Sequence, residues 1–139
     1  MTARQSYHLT FARFSPSLSV RSFSASEAVN TAYRVEITAT STDSSLPLSS
    51  YLNQRAAFEI RPQEGLLSEV VSAFGSASDD PPAKQWQGII TSCEKLSVSK
   101  DETVYRFVLE PRFAALKHFQ ASRLFQHQTV PDIVAAVFK

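Results

Sequence analysis

The chain has 139 residues, 43% of them apolar, and 14 lysines and arginines against 13 acidic residues for a formal charge of +1. That length holds one domain, or one domain and the start of another, and the even charge leaves no basic stripe to attract nucleic acid or an anionic membrane. Glycines at only 65, 75 and 88 cannot build a phosphate-cradling loop, and no apolar run approaches the roughly 20 residues that cross a bilayer.

In chain order, Tyr7, Leu9 and Phe11 alternate with His8, Thr10 and Ala12, the period of a half-buried strand. A turn at Ser15-Pro16-Ser17 precedes a second extended run through Leu18, Val20 and Phe23. The clearest strand is 32–40, with Tyr33, Val35, Ile37 and Ala39 on one face and Arg34, Glu36, Thr38 and Thr40 on the other. Such two-sidedness fits an antiparallel sheet with one wet face. Ser41 to Ser50 reads as a loop, Leu48 to Leu52 as one helical turn, and Ala56, Phe58 and Ile60 as the next strand. Leu66 to Phe74 is compatible with a helix or a strand, and Asp79-Asp80-Pro81-Pro82 with an exposed loop.

Trp86 to Leu96 is a long extended run whose interior Gly88 predicts a bulge or a barrel corner. Lys100-Asp101-Glu102 turns into a strand over 103–110, which ends at Pro111. A short helical segment with Phe113, Leu116 and Phe119 on one side follows, then an extended piece from Ser122 to Gln128. Thr129 and Asp132 have the form of a capping box, with Pro131 in the first turn of a last helix. The expected fold is mainly β: a small antiparallel barrel over 1–110, with a helix-strand-helix extension over 111–139 that begins a further part of a longer chain.

Side chains able to do chemistry are few. His8, His118 and His127 lack the short paired spacings of a zinc site, and Asp79-Asp80 sits among serines and prolines. Cys93, the lone thiol, has Lys95 on its own strand face and no base within its sequence neighbourhood, so it reads as structural. No catalytic, cofactor or metal site is expected, and the chain is not read as an enzyme. With one cysteine and no apolar core near Met1, the chain is expected to be made in the cytoplasm without a secretory signal. Aromatic stacking at Tyr105 and Phe107 reads as core, because a nucleic-acid platform comes with a basic groove.

An ordered series of short motifs adds to this reading. Glu27-Ala28-Val29-Asn30-Thr31-Ala32-Tyr33 leads into a strand, and Tyr51-Leu52-Asn53-Gln54-Arg55-Ala56 leads into another. Trp86-Gln87-Gly88-Ile89-Ile90-Thr91 is followed by Tyr105-Arg106, Pro111 and Leu116. Then come Ser122-Arg123-Leu124-Phe125-Gln126 and Val130-Pro131-Asp132-Ile133. This series resembles the N-terminal, phage baseplate hub-like region of the type VI secretion spike proteins, the VgrG family, over about residues 20–139. The sequence departs from the family pattern at Ala32 and Arg55, where proline is common, and at Asn53, where glycine is. Asparagine suits that place if the backbone there is left-handed. The stretch 62–84 is longer than the resemblance leads one to expect.

The resemblance implies a structural part of a contractile secretion machine, the base of a membrane-puncturing spike that caps the tail tube. It implies two similar barrels per subunit and a homotrimer in the full-length protein. A pseudo-sixfold ring would then sit on a hexameric tail tube protein, and export would run through the secretion apparatus itself. A baseplate hub of a contractile phage or phage-like particle is an alternative with the same fold. A small barrel enclosing a hydrophobic ligand is an alternative of another class, and it requires an apolar cavity inside the barrel.

Overall fold

Alternation of apolar and polar side chains organises the chain into one curled sheet. The computed structural model describes residues 5–62, 84–118 and 120–138. The expectations for Leu66–Phe74, for the Asp79-Asp80 loop and for Phe119 lie outside those residues. Within them the strands are β1 (Gln5–Phe11), β2 (Ser19–Ala28), β3 (Thr31–Ser41), β4 (Arg55–Pro62), β5 (Lys84–Val98) and β6 (Thr103–Glu110). They form a single six-stranded sheet in the order β1-β4-β5-β6-β3-β2, and every pairing is antiparallel.

The sheet curls into a half-barrel, and its ends, β1 and β2, meet without sharing a backbone ladder. The seam is bridged by rings instead. Phe23 of β2 lies 5.3 Å from Tyr7 of β1 and 5.0 Å from Phe58 of β4, centroid to centroid. The barrel is therefore split, held shut by side-chain packing across the seam.

The concave face carries the core. Val35, Ile37 and Ala39 from β3, Phe58 from β4, Ile90 from β5, and Tyr105, Phe107 and Leu109 from β6 are fully buried. Burying each large member of this set contributes roughly 1.5–3 kcal/mol. Core rings pack edge-on, as between Phe11 and Phe107 at 5.4 Å, or offset-stacked, as between Phe58 and Trp86 at 5.9 Å, arrangements that suit the aromatic quadrupole. These rings occupy the space that a hydrophobic ligand would need, so the ligand-binding barrel loses its footing.

β5 bends where its register with β6 shifts, between Ile90 and Ser92 and again between Lys95 and Ser97. Each shift inserts one extra residue, Thr91 or Leu96, and extra residues of this kind strengthen local twist. The first insertion rotates Cys93 inward opposite Phe107. Gly88, expected at a bulge, pairs regularly with Ala56. Its role is close approach: a Cβ there would stand 2.0 Å from the Glu110 carbonyl oxygen.

One end of the half-barrel is strapped by the segment after β3. Tyr105 Oη donates to the Asp43 carbonyl at 2.7 Å, and Lys95 Nζ donates to the Ser44 carbonyl at 2.5 Å. The single-turn helix α1 (Leu48–Tyr51) then presses Tyr51 against Phe11, 4.9 Å between centroids. Asn53 follows at φ 60°, a left-handed conformation that asparagine tolerates in a glycine's place, and its amide donates to the Ile90 carbonyl at 2.9 Å.

After β6 comes a 3-10 helix, η1 (Arg112–His118), and later a helix α2 (Val130–Val137). η1 covers part of the sheet's convex side, where Ile89, Val108 and Ala114 are buried apart from the main core. The expected strand between the two helices does not form. Among the described residues, 120–129 have no ladder partner, and His127 sits at φ 55°, which interrupts an extended run.

Candidate assembly surfaces

Residues of the motif series gather in three places. The first lies where the β2–β3 hairpin reaches across to β5. Opposite Glu27, β3 contributes two residues, Ala32 and Tyr33, because the register shifts between Ser26 and Ala28. The Glu27 carboxylate accepts from Trp86 Nε1 at 2.5 Å and from Lys84 Nζ at 2.8 Å. Lys84 Nζ also stands 4.7 Å from the centre of the Trp86 ring. Tyr33 Oη donates to the Gln87 carbonyl. These contacts join β5 to strands that are not its ladder neighbours, so they act as a latch on the curl.

The latch also shapes local electrostatics. Hydrogen bonds from Lys84 and then Trp86 hold the Glu27 carboxyl below its ordinary range. Burial, reinforced by the Glu27 charge, pushes the Tyr33 phenol up. Sequence patterning singles out Glu27, Tyr33 and Trp86 but overlooks Lys84, which stands at the very start of β5.

The second place is the β5–β6 end. Gly88 lets the Glu110-Pro111 backbone cross at close range, and Pro111, lacking an amide hydrogen, ends β6 there. Tyr105 is buried in the core and anchors the strap, while Arg106 pairs with Glu94 across the convex face at 3.6 Å. Glu110 accepts from Thr91 Oγ1 at 2.6 Å.

The third place is the C-terminal extension. Leu116, Arg123 and Phe125 of the motif series line one hollow together with Ala121 and with Val137 from α2. Phe113 and Phe138 stand 6.3 Å apart. The α2 helix starts as foreseen: Asp132 accepts from both the amide and the hydroxyl of Thr129. Pro131 lies in its first turn, and Ile133 is half-buried. Gln126 is exposed beside His127. Leu124, Val130 and Phe138 are more than half exposed, so this region shows solvent an apolar surface.

Among the described residues, chemistry-bearing groups do not converge. Burial, with Glu94 next to it, pushes the Cys93 thiol up to about 11. Among the described residues no three His, Cys, Asp or Glu side chains cluster as metal ligands. No helix of the described residues is long and apolar enough to cross a membrane. The arrangement offers packing, latching and exposed contact surface.

Known proteins match this architecture. A Pseudomonas aeruginosa protein, type VI secretion system spike protein VgrG4b, is 30% identical over 122 residues, covering 88% of this chain and 13% of its own length. Among solved structures, the E. coli c3393 protein superposes with a TM-score of 0.71 at 27% identity. That protein is a component of the type VI secretion system with structural similarity to the T4 bacteriophage tail proteins gp27 and gp5. The match covers 94% of this chain and 31% of that one. The chain thus spans a small part of the relatives it matches. The family profile of the phage tail baseplate hub (GPD) matches residues 26–139, most of the chain and all three motif clusters, so this protein belongs to the phage tail baseplate hub family.

Proposed function

We propose that this chain is the barrel at the base of a type VI secretion spike, where it transmits force by shape and stiffness and performs no chemistry of its own. The likeness to the spike protein and to the E. coli secretion component, along nearly the whole chain, carries this reading. A split barrel packed with aromatic rings and latched at Glu27 and Trp86 suits a load-bearing part, because packed interiors deform little. In the full-length protein three such subunits would form the hub on a hexameric tail tube, and the assembled spike would leave the cell through the apparatus itself.

Deleting the segment that encodes this chain, within its full-length gene, tests the reading. Release of tube protein into the medium should cease and return on complementation. A second reading, a baseplate hub of a phage or phage-like particle, draws on the family match. It is selected if the deletion abolishes particle formation and leaves secretion untouched. Export that continues unchanged, with no particle phenotype, refutes both.

A further inference from the structure

We infer that the convex side of β1, β4 and β5 carries a receptor for an acidic segment of a partner protein, read through its carboxylates. A hollow of roughly 450 Å³ opens there, within the size range of small-ligand sites. The register explains why it exists. Thr10 faces Ala57, and Ala57 faces Gln87, so one outward rung has a methyl group at its centre. Arg55, which pairs with Ile89 on the next rung, stands at the wall, and Arg112 joins it as the chain leaves Pro111.

The arginines at this wall differ in pairing from three others, on β3, β4 and β6. Arg34, Arg61 and Arg106 each have a glutamate at 3.0, 2.8 and 3.6 Å. Among the described residues, no carboxylate stands within ion-pair distance of Arg55 or Arg112. Guanidinium groups match carboxylates with paired N–H donors. Beside them, the Ala57 methyl supplies apolar surface for the methylenes of a glutamate, and the Gln87 amide supplies a further polar group. Two cations without a stacking ring among the lining residues, apart from buried Phe11, do not make a strand-tracking groove, which disfavours nucleic acid. The site goes beyond the spike reading, because it would hold an acidic partner in either kind of machine.

The test is an amide chemical-shift titration of the isotope-labelled chain with acetylated tetraglutamate amide. Saturable movement is expected at the Ala57, Gln87, Gly88 and Ile89 amides, weakening as salt is raised. The double variant Arg55→Ala/Arg112→Ala should bind roughly tenfold more weakly or worse, as charge-assisted contacts are lost. The control Arg13→Ala/Arg21→Ala should bind as the parent does. All of these arginines are exposed, and circular dichroism checks that each variant keeps its fold. The inference is overturned if those amides stay still, if the double variant binds equally, or if binding ignores salt. Equal response to tetraglutamine or inorganic phosphate, or a stronger one to octathymidylate, would overturn it as well.

Discussion

Replacing Gly88 with alanine probes the crossing of β5 under the end of β6. The new Cβ would stand 2.0 Å from the Glu110 oxygen, 2.8 Å from its carbon and 3.3 Å from Pro111 Cα. Non-bonded carbon contacts settle at roughly 3.5–4.0 Å, and all three neighbours are backbone, so no side chain can swing aside. β5 and β6 must separate by about 1 Å or more at that point. Yet Ile90 and Leu109, which pair just beside it, are fully buried and packed. Overpacking of this kind should cost about 2–4 kcal/mol. Strand propensity alone argues the other way, since glycine inside a strand is roughly 0.5–1 kcal/mol worse than alanine. The two accounts therefore differ in sign. Urea unfolding followed by far-UV circular dichroism should show the loss, with a midpoint of thermal unfolding lower by about 10 °C. A variant as stable as the parent, or more stable, would refute the close-approach account.

Asn53 sits at φ 60°, so Asn53→Ala should destabilise by about 1 kcal/mol in the same assay, and Asn53→Gly should stay close to the parent. The Glu27 carboxyl is held below its ordinary value of 4.5, so the latch contributes fully above that pH and its contribution vanishes as pH falls through the lowered value. Glu27→Gln should flatten this acid-side loss, which stability measurements across a pH series would register; an unchanged slope would count against the latch. Cys93, with its thiol pushed up to about 11, should react slowly with iodoacetamide at neutral pH in the folded chain and quickly once urea unfolds it.

The strands that one face of a sheet dictates were legible from residue order. Val35, Ile37 and Ala39 alternate so cleanly that β3 follows directly, and the same holds for Tyr105, Phe107 and Leu109 in β6. Sequence reading stopped β2 near Phe23, whereas the strand runs on to Ala28. Its second half, Ser24-Ala25-Ser26, lacks large apolar residues, and the register shift between Val20 and Ser22 breaks the period. An edge strand has one ladder neighbour and little burial, so its local pattern is weak. The segment 120–129 erred the other way: Leu124 and Phe125 suggest extended structure, but no strand of the described residues lies alongside to pair with them.

The candidate surfaces divide along the same line. Glu27, Tyr33 and Trp86 stand out as motif residues, but nothing local says that a carboxylate on β2 meets an indole on β5, 59 positions away. That meeting depends on how far the sheet curls. The outward hollow was likewise invisible, because Thr10, Ala57 and Gln87 become neighbours only through strand register.

By itself the amino-acid order determined which residues face inward in the cleanly alternating strands and where β6 stops at Pro111, since these follow from side-chain period and backbone sterics within a few residues. Strand order, the split seam bridged by Phe23, the true work of Gly88 and the placing of Arg55 and Arg112 on one wall of the convex face were decided by tertiary structure alone. Each depends on distances between segments far apart in the chain, and long-range pairing and the twist of the whole sheet set those distances.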